Sequence, residues 1–117
     1  MPKILLAEDD VTMVSLLKTL LKMEGFDVVA LRPNEDTLAA VDREMPDIVL
    51  LDVHLYGQNG LDILDALRKN NNDVRVVMSS GMNVKEDCMR RGANGFLLKP
   101  YMPDDLIGLL RQNLKSV

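Results

Sequence analysis

The chain has 117 residues, and 14 lysines and arginines against 18 aspartates and glutamates give a formal net charge of −4 and a pI near 4.9. This length fits one domain over residues 1–117, and a single cysteine excludes a disulfide framework. An acidic chain without a basic stripe is not expected to bind nucleic acid directly, because phosphate neutralisation supplies most of that affinity. No apolar run approaches the roughly 20 residues that span a bilayer, so we expect a cytoplasmic protein without membrane contact.

Short runs rich in isoleucine, valine and leucine alternate with longer amphipathic stretches along the chain. This pattern is typical of parallel strands joined by crossover helices. The predicted strands are residues 3–7, 26–31, 48–51, 74–79 and 95–98. The predicted helices are residues 10–24, 34–45, 60–70, 83–91 and 103–114. Asp10 is expected to cap the first helix, and Pro46 is expected to stop the second.

Five such units are too few to close a barrel, so we predict an open, doubly wound α/β sheet with right-handed crossovers. The usual solution for five parallel strands is the flavodoxin-like order 2-1-3-4-5, with five helices on the two faces. Its ligand crevice lies at the carboxyl ends of strands 1 and 3, where the strand order reverses. Residues that follow these two strands are therefore the first candidates for a functional site.

Acidic residues follow both of these strands. Glu8, Asp9 and Asp10 come after the first strand, and Asp52 comes after the third. An isolated aspartate at a strand end is most often a turn former or a helix cap, but carboxylates that converge repel one another unless a proton or a cation lies among them. Carboxylate oxygens and water are the ligands that Mg²⁺ prefers. The sequence therefore predicts a Mg²⁺ site here, with Asp10 left to its helix.

A hydroxyl and an ammonium group follow the last two strands. The fourth strand ends in Ser79, Ser80 and Gly81, and the fifth ends at Lys99 and Pro100. A hydroxyl and an amine beside a metal-bound carboxylate make a site for phosphoryl transfer, in which the carboxylate attacks and the other groups hold the transferring oxygens.

Four segments together carry a family resemblance. They are LLAEDD ending at Asp10, VLLD ending at Asp52, MSSG ending at Gly81 and FLLKP ending at Pro100. In this order, at strand ends, they resemble the receiver domain of two-component response regulators over the whole of residues 1–117. The resemblance implies that Asp52 is the phosphoacceptor and that Glu8 and Asp9 form the acidic pair around Mg²⁺. His54 matches the position whose backbone carbonyl completes the metal shell, and its imidazole is expected to be solvated.

The same resemblance assigns a switch. Ser80 would be the switch hydroxyl, Lys99 would pair with the phosphate, and Phe96 matches the switch aromatic, so that Asp52, Ser80 and Lys99 are the catalytic residues. After phosphorylation Ser80 would move toward the new anion and Phe96 would turn inward. This would remodel the surface of the fourth helix, the fifth strand and the fifth helix.

The resemblance also implies partners. A sensor histidine kinase, a phosphotransfer protein or acetyl phosphate would supply the phosphoryl group, and a downstream target protein would dock on the remodelled surface. It does not decide whether phosphorylation causes the protein to dimerise. Such a protein is not an enzyme toward other molecules, since it catalyses only its own phosphorylation and dephosphorylation.

Three departures from the family pattern stand out. Family members usually carry a proline in the loop after the phosphoacceptor, where this chain has Leu55, Tyr56 and Gly57. The segment between the switch serine and Gly92 is about one helical turn shorter than expected. The switch aromatic is phenylalanine where tyrosine is common.

Two other functions are alternatives to the phosphoacceptor switch. A phosphatase with an aspartyl-phosphate intermediate would need a second aspartate two residues after its nucleophile, and His54 occupies that position. A flavin-binding electron carrier is compatible with the fold, but it needs a phosphate-cradling loop after the first strand, where this chain has acids. It also needs aromatic side chains against the flavin ring, and the chain has two phenylalanines and two tyrosines in all.

Overall fold

Five parallel strands and five helices alternate along the chain in a computed structural model that describes residues 1–114. The elements are β1 Lys3–Ala7, α1 Val11–Met23, β2 Asp27–Ala30, α2 Thr37–Glu44, β3 Ile48–Asp52, β4 His54–Leu55, β5 Gln58–Asn59, α3 Gly60–Lys69, β6 Arg75–Ser80, α4 Lys85–Arg90, β7 Gly95–Leu98 and α5 Pro103–Leu114. Residues 115–117 of the predicted domain lie outside the described part.

The main sheet has the order β2-β1-β3-β6-β7, and all its strand pairs are parallel. Numbered among the five sheet strands alone, this is 2-1-3-4-5, so the predicted doubly wound fold is confirmed. The register pairs Ala7 with Leu51 and Asp52 with Ser79. Glu8 follows Ala7 directly, which brings it level with Asp52 at the carboxyl edge of the sheet.

The two faces of the sheet are covered by different helices, because successive side chains along a strand point to opposite sides. One layer contains Ile4 and Leu50 of the sheet and the buried faces of α1 and α5. The other contains Leu5 and Val49 and the buried faces of α2, α3 and α4, where the single cysteine, Cys88, is a small core residue. The central strand β3 is buried along its whole length, as expected for a strand covered on both faces.

Two helices begin later than their sequence pattern predicts. The second helix was expected from residue 34, but Asn34 adopts a left-handed φ of 64° and the helix begins at Thr37. Asp36 caps it, since its side chain accepts a hydrogen bond from the backbone N–H of Leu38. The fourth helix covers only Lys85–Arg90, after a cap residue that supplies no side-chain hydrogen bond.

The first helix begins as predicted, because Asp10 Oδ1 accepts a hydrogen bond of 3.0 Å from the backbone N–H of Met13. The second helix ends at Glu44, one residue before the expected bound and two before Pro46, with Met45 in a left-handed conformation at its end. Within residues 1–114, none of the helices combines the length and the apolar character needed to cross a membrane.

An antiparallel hairpin that the sequence pattern did not predict follows β3. It is formed by β4 and β5, with His54 opposite Asn59 and Leu55 opposite Gln58. The two residues of its turn, Tyr56 and Gly57, have φ angles of 47° and 75°. Positive φ at both central residues is the mark of a type I′ turn, which matches the twist of two antiparallel strands. The loop after Asp52 is therefore an ordered hairpin.

Candidate functional site

Three carboxylates meet at the carboxyl edge of the sheet. Oxygen atoms of Glu8, Asp9 and Asp52 all lie within 4.8 Å of one another. Glu8 and Asp52 are only 3% and 6% exposed, whereas Asp9 faces solvent. The parallel register explains the meeting, because it aligns the end of β1 with the last residue of β3. Two of the three acids are thus held inside the protein and the third lies at the entrance.

Lys99 joins the two buried carboxylates. Its Nζ donates hydrogen bonds of 2.8 Å to Glu8 Oε1 and 2.8 Å to Asp52 Oδ2. The lysine follows β7, where its backbone N–H donates to the carbonyl oxygen of Ser80, and its peptide bond to Pro100 is cis. The side chain therefore extends from the last strand across the end of β6 to the ends of β3 and β1.

The site carries more negative than positive charge. Three carboxylates face one ammonium group. Burial raises the pKa of Glu8, against the opposing hydrogen bonds from Lys99 and from the backbone of Asp10. Burial by itself would lower the pKa of Lys99, but the hydrogen bonds to Asp52 and Glu8 outweigh it and the pKa is raised. Lys99 is thus held as a cation, and the remaining negative charge favours a second cation among the carboxylates.

The donor set fits a hard divalent cation. Glu8, Asp9 and Asp52 offer carboxylate oxygens only, and the exposed position of Asp9 leaves room for water at the entrance. Mg²⁺ is held in proteins by one or two carboxylates and keeps several waters. Zinc prefers nitrogen and sulfur ligands, and the single histidine has an exposed imidazole, as expected for a solvated side chain.

Asp52 is held through both of its carboxylate oxygens. Oδ2 accepts from Lys99, and Oδ1 accepts a hydrogen bond of 3.2 Å from the backbone N–H of His54. His54 is the first residue of β4, so the hairpin begins directly at the site. These contacts fix the side chain in position.

Ser80 lies at the same edge and is 1% exposed. Its Oγ accepts a hydrogen bond of 3.1 Å from the backbone N–H of Met82. Within residues 1–114 the Ser80 hydroxyl makes no hydrogen bond to Asp52 or to Lys99. The structure therefore brings Ser80 to the site edge without joining it to the acids, and the proton of its hydroxyl stays free for another acceptor.

Phe96 occupies β7 opposite Met78, and its half-buried ring packs against the core layer under α2, α3 and α4. Nearby, Tyr101 packs against the opposite layer, and sequence analysis gave it no role. Burial raises the pKa of Tyr101 to about 12, with Lys99 opposing the shift. In the sequence, only its position two residues after Lys99 indicates that Tyr101 lies near the site.

Gly60 permits a close approach that sequence analysis also missed. A Cβ atom on this residue would lie 2.2 Å from the carbonyl oxygen of Asp52 and 2.9 Å from the Cα of Val53. Its N–H donates a 2.6 Å hydrogen bond to the carbonyl of Val53. The sequence pattern placed residue 60 only at the start of the third predicted helix. The close approach means that the start of α3 directly supports the backbone of Asp52.

Asp9 makes a further contact that the sequence did not predict. Its Oδ2 accepts a hydrogen bond of 2.9 Å from the backbone N–H of Tyr56, in the turn of the hairpin. The sequence shows only that such a contact is possible, because the residue at position 56 is not proline and so has an N–H to donate.

Comparison with known proteins places these residues in a family. A family model described as the response regulator receiver domain matches residues 4–111. The transcriptional regulatory protein CpxR of Escherichia coli K12 is 37% identical over 118 residues, covering 98% of this chain and 50% of CpxR. The DNA-binding response regulator MtrA of Mycolicibacterium paratuberculosis is 33% identical over 116 residues, covering 97% of this chain and 51% of MtrA. The chain thus spans about half the length of the curated relatives it matches.

Solved structures are similar over nearly the whole chain. The receiver domain of the Francisella response regulator 1452 superposes with a TM-score of 0.90 at 25% identity, covering 97% of this chain and 96% of that one. A CheY-like response regulator receiver domain protein from Methanospirillum hungatei JF-1 superposes with a TM-score of 0.87 at 25% identity, covering 97% and 94%. The receiver fold thus extends over nearly the whole chain.

Proposed function

The chain belongs to the response regulator receiver family, and from that premise we propose that it is a phosphoacceptor switch in which Asp52 takes up a phosphoryl group. One observation carries this proposal. Lys99 donates hydrogen bonds to two buried carboxylates, those of Glu8 and Asp52, and the carboxylate of Asp9 lies beside them. A buried acid cluster with too little positive charge is suited to bind a cation and then a phosphoryl group.

In the proposed reaction a carboxylate oxygen of Asp52 attacks the phosphorus of the donor. A bond between this oxygen and phosphorus forms, and the bond from phosphorus to the leaving atom breaks. The electron pair goes to the leaving atom, which is a ring nitrogen of a phosphohistidine or a carboxylate oxygen of acetyl phosphate. Mg²⁺ would be held by Glu8, Asp9, Asp52 and the His54 carbonyl. When bound, it would neutralise negative charge on the oxygens of the transferring phosphoryl group.

Two other side chains of the site would contact the phosphoryl group once it is on Asp52. Lys99 already contacts Asp52 at 2.8 Å, so its ammonium can follow the negative charge from the carboxylate to the new phosphoryl oxygens. Ser80 accepts a hydrogen bond from Met82 but keeps its own proton, which it can donate to a phosphoryl oxygen after moving toward it. The two residues thus have separate roles: Lys99 neutralises negative charge, and Ser80 moves toward the phosphoryl group.

The movement of Ser80 is proposed to be the signal. It would vacate space that the half-buried ring of Phe96 can enter, which changes the surface formed by α4, β7 and α5. A shift of a population from about 1:99 to 99:1 takes roughly 5.5 kcal/mol of differential affinity, which an anion held by a metal, an amine and a hydroxyl can supply. A target protein would read this surface, and a second copy of the chain is a further candidate.

The partners and the location are part of the same proposal. A histidine kinase or a phosphotransfer protein would be the donor, and the switch would act in the cytoplasm. The protein would catalyse only the gain and loss of its own phosphoryl group. Direct contact of this domain with nucleic acid is not part of the proposal, because its formal net charge is −4.

Intact-mass spectrometry after incubation with acetyl phosphate tests the proposal. We expect one phosphoryl group on the wild-type protein with Mg²⁺ and none in the presence of a chelator. The Asp52→Asn variant should gain none, whereas Asp42→Asn, which changes an exposed aspartate of α2, should match the wild type. Full uptake by the Asp52→Asn variant would contradict the assignment.

A further inference from the structure

The turn of the β4–β5 hairpin is fixed in position by the core. Leu55 is 1% exposed, and the ring of the next residue, Tyr56, packs against the layer under α2, α3 and α4. The pairing of β4 with β5 holds the other side of the turn. The backbone N–H of Tyr56 therefore has a fixed direction, set by contacts that do not involve the acidic residues.

This N–H donates to Asp9 Oδ2 at 2.9 Å. Asp9 is the exposed member of the carboxylate group, so without this contact its side chain would rotate in solvent. A carboxylate has about four lone-pair sites, so one N–H and one cation can be accommodated together. Hydrogen bonds to a metal-ligating carboxylate fix its orientation, and their loss typically weakens metal binding about 10- to 100-fold.

The contact depends on a residue in which this chain departs from the usual family pattern. Proline, common in this loop, has no backbone N–H and a fixed φ near −65°. Tyr56 has an N–H and a φ of 47°, which together form the turn and the hydrogen bond. The loop therefore has at position 56 a backbone donor that is aimed at Asp9.

We infer that the backbone N–H of Tyr56 is a positioning group for Asp9, which makes the β4–β5 hairpin part of the divalent-cation site. This inference rests on the proposed function, in which Asp9 binds the cation. Coupling between two events is reciprocal. Cation binding must therefore protect the turn of the hairpin, and loss of the turn's hydrogen bond must weaken cation binding.

An ester substitution tests this directly. Tyr56 is replaced by its α-hydroxy acid analogue, which removes the N–H and keeps the side chain. The same replacement at Tyr101 is the matched control, since within residues 1–114 the Tyr101 amide donates to none of the site carboxylates. Calorimetric titration with Mg²⁺, without a phosphoryl donor, should give about tenfold weaker binding for the Tyr56 ester and wild-type binding for the Tyr101 ester. Equal affinity of both esters would overturn the inference.

A second measurement uses the unmodified protein and so does not depend on the folding of a variant. Amide hydrogen exchange of Tyr56, followed by NMR, should slow several-fold when Mg²⁺ saturates the site. Unchanged or faster exchange would overturn the inference while leaving the phosphoacceptor role intact. Absence of any Mg²⁺ binding by the wild type would instead overturn both proposals.

Discussion

Two partly buried basic side chains, Lys99 at the carboxyl edge of the sheet and Arg68 at the amino edge, have opposite kinds of partners. At the carboxyl edge, Lys99 contacts two carboxylates. At the amino edge, Arg68 of α3 reaches over the starts of β6 and β7 and contacts only neutral oxygen atoms. Its guanidinium donates to the carbonyls of Asn72, Val74 and Gly92 and to Oδ1 of Asn94, at 2.8 to 3.1 Å.

The difference separates a structural site from a functional one. Arg68 satisfies backbone carbonyls that would otherwise be unpaired, and burial lowers its pKa against the attraction of Asp73. No surplus of negative charge surrounds it. Near Lys99, one ammonium group does not neutralise the negative charge of three carboxylates. This excess negative charge lowers stability when no cation is bound, and it favours the binding of a cation. The amino edge therefore stabilises the fold, and the carboxyl edge is arranged for binding.

The largest effect on stability is expected at the amino edge. The Arg68→Met variant loses five hydrogen bonds, three of them part-buried, which should lower the free energy of unfolding by about 3 kcal/mol. Urea denaturation measures this loss. Arg75→Met, at the exposed start of β6, is the control and should change it by less than about 0.5 kcal/mol. A similar loss in both variants would remove the distinction between the two edges.

The next largest effect is expected where α3 meets the carboxyl edge. In Gly60→Ala the new methyl group would lie 2.2 Å from the carbonyl oxygen of Asp52, so the backbone at Asp52 must shift. We expect a loss of about 2 kcal/mol in the free energy of unfolding, together with weaker phosphoryl uptake by the folded protein.

Gly108→Ala is the control for this prediction. Within residues 1–114, no atom outside the adjacent residues and the helix's own backbone lies within 4 Å of the added methyl group in α5, so the change should stabilise the protein by about 0.5–1 kcal/mol. Denaturation and acetyl phosphate uptake, measured on both variants, check the pair. Normal uptake by Gly60→Ala would show that the position of the Asp52 backbone is not critical.

The smallest effect is a pH dependence at the acidic edge. A raised pKa for Glu8 means that its contribution to stability is complete below the ordinary value of 4.5 and is lost as the pH rises through the folded-state pKa. In metal-free buffer the wild type should therefore lose stability relative to Glu8→Gln between pH 4.5 and neutral pH. Urea denaturation at several pH values measures this.

Saturating Mg²⁺ should remove that loss, because a bound cation favours the charged carboxylate. The comparison of the two proteins cancels the contributions of other titrating groups to first order. A pH profile that is the same for both proteins would show that burial of Glu8 carries no cost.

The parts of the molecule that could be predicted are those that depend on a repeating pattern. Hydrophobic periodicity predicted the five strands, and the usual arrangement of five parallel strands predicted their order. The parallel sheet then brings the acids at positions 8 and 9 together with Asp52. Asp10 was correctly predicted as a helix cap because its partner, Met13, lies three residues away. Local signals of this kind need no knowledge of the rest of the chain.

The parts that could not be predicted depend on contacts between distant residues. The hydrogen bond from Tyr56 to Asp9 spans 47 residues, and the bonds from Arg68 to Gly92 span 24. Neither donor belongs to a periodic pattern, and a backbone N–H carries no sequence signature. Asn34 misled the prediction of the second helix because its left-handed conformation, and not its polarity, sets where the helix begins.

Reductive trapping of the phosphorylated residue gives the decisive test of the phosphoacceptor site. Borohydride converts an aspartyl phosphate to homoserine, and peptide mass spectrometry then locates the converted residue. After treatment with acetyl phosphate and Mg²⁺, we predict conversion at position 52 and nowhere else, and none when Mg²⁺ is withheld. Conversion at position 9, or a phosphorylated protein whose Asp52 remains unconverted, would contradict the phosphoacceptor site derived from Lys99 and its two carboxylates.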